Sequence, residues 1–142
     1  MRFASLGSGS EGNALLISAA SGATITHLML DCGFVTRELV RRIARFDIDP
    51  SCLAGVIVTH EHSDHVGGVF RLARQYRLPV WMSYGTWEAS RSEAYGVDIR
   101  ICRDTQPFDV GDLQITPYTV PHDAREPLQY VATDGRRSIY EV

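Results

Sequence analysis

Apolar and polar residues alternate with a period of about two from the start of the chain, so Arg2-Phe3-Ala4-Ser5-Leu6 reads as a short strand. Two further apolar runs, 14–20 and 25–30, flank the turn residues Ser21-Gly22-Ala23-Thr24 and predict a β-hairpin. The period then lengthens to about 3.6. Over 35–46 it places Val35, Leu39, Ile43 and Phe46 on one helix face. Arg37, Arg41 and Arg45 line another face, which reads as a solvated strip. The β-branched run Gly55-Val56-Ile57-Val58-Thr59 has the make-up of a strand buried on both faces. A second amphipathic helix follows from Val69, Leu72, Ala73 and Tyr76 and ends at Leu78-Pro79. Strands at 80–83 and 99–102 enclose a third helical stretch, 87–95, closed by Gly96. Gly111-Asp112 and Asp134-Gly135-Arg136 then centre two hairpins, 108–116 and 128–142. Strands and helices therefore mix along the chain as α/β (α+β), in one domain over 1–142, with no repeat and no linker.

The buried run at 55–59 leads into His60-Glu61-His62-Ser63-Asp64-His65, in which four of six side chains are metal-ligand types. His60 and His62, two apart where the strand ends, can point to one side and share an ion. Asp64 and His65 can turn towards a second. The zincin pattern H-E-x-x-H is excluded, because Asp64 stands four residues after His60. A polar strand-to-helix loop with Asp64 as helix cap is the plainer alternative. It leaves unexplained why three of the chain's five histidines fall in six positions.

A competing motif lies upstream. Gly7, Gly9 and Gly12 match G-x-G-x-x-G, and Asp31 follows 19 residues later, near where a dinucleotide site requires an acid. That site needs a helix after Gly12, whereas the turn chemistry at 21–24 favours a hairpin.

Composition narrows the setting. A chain of 142 residues forms one domain with a real core. No apolar run approaches the ~20 residues of a membrane span, and the N-terminus lacks a signal-peptide pattern. Cys32, Cys52 and Cys102 are odd in number and widely spaced, which predicts reduced thiols and a cytoplasmic location. The net charge of −3 gives no whole-chain attraction to nucleic acid. All 14 basic residues are arginine, which codon bias explains without phosphate binding.

H-x-H-x-D-H after a buried strand, with Leu30-Asp31-Cys32-Gly33 upstream and a lone His122 downstream, resembles the metallo-β-lactamase-fold hydrolases. Gly7-Ser8-Gly9-Ser10 with Gly12-Asn13, and His122-Asp123-Ala124 followed by Pro127, resemble the YycJ/WalJ-like branch in particular. The resemblance implies an αββα sandwich, of which this chain is roughly the first half with the C-terminal part missing. It implies two divalent transition-metal ions (zinc, manganese or iron). His60, His62 and His122 would hold the first. Asp64, also the catalytic candidate, and His65 would begin the second, which stays incomplete in this chain. Asp31 would orient a histidine ligand, or else simply end a strand. Ser8, Asn13 and Asp123 would support the ligands or lie around the substrate, unless 7–13 is a glycine turn packed under the metal loop. His27 reads as structural. Asp134 resembles a T-D-x-G bridging aspartate but fits a hairpin turn better.

The implied reaction is hydrolysis by water activated at a dinuclear site. Phosphodiesters, DNA first, are the expected substrates, with no membrane partner. Small thioesters, lactones or β-lactams on the same site are the alternative, and a non-catalytic metal-binding fragment is the third reading. Apolar faces and an open strand edge near 128–142 would favour self-association of the piece.

Overall fold

The computed structural model describes residues 1–140. The first strands form an antiparallel meander, β1 (Arg2–Gly7), β2 (Ala14–Ser21) and β3 (Thr24–Leu30). Helix α1 (Thr36–Ile43) crosses over to β4 (Leu53–Ile57), which pairs parallel with β3. Two short helices, α2 (Ser63–Val66) and α3 (Val69–Tyr76), lead to β5 (Val80–Met82), and α4 (Tyr84–Ser90) leads to β6 (Ile99–Ile101). These strands make one six-stranded sheet in chain order. A second, antiparallel sheet follows, built from β7 (Phe108–Val110), β8 (Leu113–Thr119), β9 (Leu128–Thr133) and β10 (Ser138–Tyr140) in the order β10-β9-β8-β7. The element after Gly12 is thus a strand, and the dinucleotide reading falls.

The first sheet is apolar on both faces, and each face has its own core. Leu16, Met29, Val56, Val58 and Val80 pack against Leu39 and Ile43 of α1 and Val69 and Leu72 of α3. On the opposite face Ile17, Leu28, Leu30 and Ile57 meet Leu113, Ile115, Leu128 and Tyr130 of the second sheet. The layers are therefore helices, sheet, sheet, as in three layers of the αββα sandwich. Among the described residues no helix packs in the core between the sheets.

Two sequence expectations need correction. Val35 and Phe46 are 69% and 46% exposed, although both were placed on the apolar face of the first helix. Val35 is an N-cap with extended backbone, outside the helix, and the chain tightens to a 3₁₀ turn at Ala44–Phe46, which swings Phe46 off the stripe. Arg37, Arg41 and Arg45 do form an exposed strip. The third helix lies at Tyr84–Ser90 instead of 87–95, because Ser83 is its N-cap and accepts a hydrogen bond from the Thr86 amide. In the second sheet Leu113, Ile115, Leu128, Tyr130 and Ala132 point into the core, while Gln114, Thr116, Tyr118, Gln129, Val131 and Thr133 alternate with them outwards, so the outer face mixes polar and apolar residues.

Candidate metal centre

Parallel β3 and β4 end at the same edge of the sheet, where open α/β sheets place their ligands. Asp31 follows β3 in a left-handed conformation (φ 58°), which aspartate tolerates better than most residues. Its amide donates to the Ile57 carbonyl (2.8 Å), so the turn is fastened to β4. The next residues lie hard against the histidine loop. Cys32 N–H donates to the His65 carbonyl and Gly68 N–H to the Cys32 carbonyl, both at 2.8 Å. A Cβ on Gly33 would sit 2.0 Å from the Asp64 carbonyl oxygen, and one on Gly68 1.7 Å from that of Phe34. Only glycine permits this approach.

The glycine loop after β1 braces the same region from below. The Asn13 amide donates to the Asp64 carbonyl at 2.8 Å, and its side-chain Nδ2 donates to that carbonyl (3.0 Å) and to the Asp64 carboxylate (3.3 Å). A Cβ on Gly7 or Gly12 would collide with the Phe34 ring at 2.5 or 2.6 Å. Residues 7–13 are thus a turn packed under the histidine loop. Asn13 orients Asp64, whereas Ser8 is exposed.

His60, His62 and His122 come together with ligand nitrogens all within 4.8 Å of one another. His60 is buried, and its Nε2 lies 3.2 Å from that of His122, with ring centroids 4.4 Å apart. Asp31 and Thr59 set the proton positions. Thr59 donates to the Asp31 carboxylate through its amide (2.8 Å) and its hydroxyl (2.7 Å). With its proton so used, the hydroxyl accepts from His60 Nδ1 (2.8 Å), which leaves His60 Nε2 as a lone pair facing the cluster. His65 Nδ1 donates to the same Asp31 carboxylate (2.8 Å), leaving its Nε2 facing Asp64, 3.9 Å from the carboxylate. Asp31 therefore both ends the strand and orients an imidazole. Thr59 escaped the sequence reading, although its place directly before the first histidine was available.

Electrostatics suit a neutral His60. Burial, then the neighbouring rings of His65, His122 and His62, push the His60 pKa down to about 4. Burial raises the Asp31 pKa, opposed by the hydrogen bonds from His65 and Thr59. Three convergent imidazoles, with the His60 tautomer fixed by Thr59, fit a transition-metal ion, and Asp64 and His65 lie beside them as the start of a second position. Thr59, His60, His65 and His122 line a cleft of about 210 Å³. Asp123 is exposed next to His122.

The remaining candidates lie elsewhere. His27 pairs with Ser18 Oγ at 2.7 Å across β2 and β3, a structural contact. Asp134 accepts from the amides of Arg136 and Arg137 and lies 3.4 Å from the Met1 amine, in a hairpin turn beside the far ends of β1 and β2. It does not approach the histidines. Cys32, Cys52 and Cys102 are free thiols. No helix among the described residues is long and apolar enough to cross a membrane.

Known proteins resemble this chain in sequence and in fold. The family model of the β-lactamase superfamily domain matches residues 26–140. Exodeoxyribonuclease YycJ of Bacillus anthracis is 31% identical over 144 residues, covering 98% of this chain and 52% of its own. A hydroxyacylglutathione hydrolase of Rhodopseudomonas palustris is 30% identical over 99 residues, covering 70% of this chain and 37% of its own. Among solved structures, Rm3 metallo-β-lactamase superposes with a TM-score of 0.75 at 19% identity, over 96% of this chain and 56% of that one. The chain spans about half the length of the curated relatives it matches. With the histidine cluster, the fold and the family match in agreement, the chain belongs to the β-lactamase superfamily.

Proposed function

We propose that these residues form the metal-binding core of a metal-dependent phosphodiesterase that acts on DNA in the manner of an exonuclease. The observation that carries the proposal is the convergence of His60, His62 and His122, with His60 Nε2 freed by the Thr59–Asp31 relay. The exodeoxyribonuclease relative supports the choice of substrate. His60, His62 and His122 would hold the first divalent ion (zinc, manganese or iron), and Asp64 and His65 would contribute to the second. Such ions supply charge stabilisation on the attacked and leaving oxygens and acidify water at neutral pH. The protein's own residues fix that arrangement. Asp31 holds His65 in one tautomer, Thr59 holds His60, and Asn13 holds Asp64. The second reading, hydrolysis of a thioester or lactone at the same residues, is favoured by the hydroxyacylglutathione hydrolase relative.

Metal analysis and substrate comparison test the proposal together. Residues 1–142 should take up one ion tightly and a second weakly, since the first position has three ligands and the second two. His60→Ala combined with His62→Ala should abolish uptake. The natural protein carrying these residues, loaded with manganese or zinc, should cleave bis-p-nitrophenyl phosphate and DNA ends in preference to a thioester, a lactone or a chromogenic lactam. Preference for the thioester or lactone would transfer the assignment to the second reading. Metal bound without turnover of any of them would reduce it to metal binding, and unchanged metal content in the double variant would overturn it.

A further inference from the structure

His122 poses a structural problem. It is exposed, it belongs to no helix or strand, and it lies between β8 and β9, yet its Nε2 stands 3.2 Å from that of buried His60. Burial does not hold it there. We infer that Glu61 is a positioning residue that latches the His122 loop onto the loop carrying His60 and His62; the inference rests on the metal reading proposed above.

The geometry is specific. The Ala124 amide donates to the His122 carbonyl at 2.9 Å, closing a tight turn. The Arg125 amide, which leaves that turn, donates to both carboxylate oxygens of Glu61, at 3.0 and 3.4 Å. Glu61 stands in sequence between two of the three ligands and grips the turn that carries the third. A charge-assisted bond to a backbone N–H fixes the path of the loop independently of its side chains. The far end of the loop is tied as firmly. The Glu126 carboxylate accepts from the Gly85 amide (2.8 Å), and the Glu126 carbonyl accepts from Ser83 Oγ (2.7 Å). The Leu128 amide then donates to the Thr59 carbonyl at 2.9 Å. A Cβ on Gly85 would approach Glu126 Cβ to 2.6 Å, so the fit at α4 is close. Arg125 also faces Glu88 at 3.7 Å, but both side chains are about half exposed, and a pair of that kind adds little.

A cobalt(II) titration with visible absorption spectroscopy separates a latch from a decorative surface contact. Glu61→Ala should lower cobalt affinity about tenfold, the low end for residues that orient ligands. Its spectrum should shift towards that of His122→Ala, because the same ligand is displaced. Glu61→Gln keeps an acceptor oxygen for the Arg125 amide and should restore most of the affinity and the spectrum. Glu88→Gln should leave both unchanged. Circular dichroism of each variant keeps loss of fold apart from loss of the ligand. Cobalt affinity and spectrum unchanged in Glu61→Ala, with both altered in His122→Ala, would overturn the latch. Tight cobalt binding left unchanged by His60→Ala would instead overturn the metal reading itself, so the two failures are distinguishable.

Discussion

Asp31 shows how one side chain can serve fold and chemistry together. It is 2% exposed, adopts a left-handed backbone conformation, and accepts from Thr59 N, Thr59 Oγ1 and His65 Nδ1. Asp31→Ala would leave those donors without their acceptor and put alanine at positive φ. A loss of about 2–4 kcal/mol is expected in urea denaturation, since an orphaned buried donor and a strained backbone each cost ~1–3 kcal/mol. Asp31→Asn should fold better than alanine but lose metal affinity, about 10–100-fold, because its amide NH₂ cannot accept from His65. Equal metal affinity in Asp31→Asn and the unsubstituted chain would remove Asp31 from the site. The sequence offered two readings of Asp31, a strand-ending turn and an orienter of a histidine ligand; the structure has it at the turn with positive φ, and its carboxylate accepts from His65 Nδ1 at 2.8 Å. Thr59 stayed hidden for a physical reason. Its hydroxyl meets Asp31 only because parallel β3 and β4 align Leu30 with Ile57, a pairing that local patterns do not encode.

Elements with strong periodicity or unambiguous turn chemistry were legible in advance. The β2–β3 hairpin, buried β4 and amphipathic α3 all stand close to where the pattern placed them. The ends of α1 and α4 were not, because they depend on a cap and on a change to 3₁₀ winding, which three-dimensional neighbours decide. The close packing of the Asp31-Cys32-Gly33 turn against the ligand loop also lay beyond pattern reading, and it makes a sharp prediction. A Cβ on Gly68 would stand 1.7 Å from the Phe34 carbonyl oxygen and 3.2 Å from that of Cys32, and backbone cannot yield as a side chain does. Gly68→Ala should therefore destabilise by about 3 kcal/mol or more, or abolish folding. Gly22→Ala, at φ 59° with open space around it, should cost only about 1–2 kcal/mol. Comparable melting of the two variants would contradict the close approach. The β9–β10 turn makes a pH-dependent prediction. Amide hydrogen bonds from Arg137 and Arg136 lower the Asp134 pKa to about 2. A depressed folded-state value means the turn is stabilised above the unfolded pKa of ~3.9 and loses that stabilisation as pH falls towards 2. Asp134→Asn should flatten stability between those pH values, and an unchanged acid limb would argue against the hairpin role.

The two-sheet arrangement sets how the chain meets other copies of itself. The inter-sheet core draws on both sheets, with Leu28 and Ile57 facing Ile115 and Leu128, so the layers fold as one unit. Most apolar residues of β8 and β9 lie in that core, and the outward positions mix Gln114, Thr116, Gln129 and Thr133 with half-buried Tyr118 and Val131, so that face carries only a small, broken apolar patch. The sheet edges are another matter. Among the described residues β10 pairs only with β9, and β1 only with β2, leaving backbone donors and acceptors of both strands available for a further strand. Exposed aromatic side chains mark these two of the four edge strands, Tyr140 at 66% and Phe3 at 65%. Arg136 and Arg137 beside β10 resist pairing through charge, but they sit in the turn, not along the strand. We expect residues 1–142 to self-associate by edge pairing at micromolar concentration, read as a concentration-dependent sedimentation coefficient with unchanged circular dichroism. Tyr140→Lys puts a charge on the β10 edge and should shift the chain towards monomer, whereas Phe3→Lys should do so only if β1 carries the contact. A concentration-independent monomer for the unsubstituted chain would sink the prediction, and it would mean that the arginines beside β10 protect the edge by themselves.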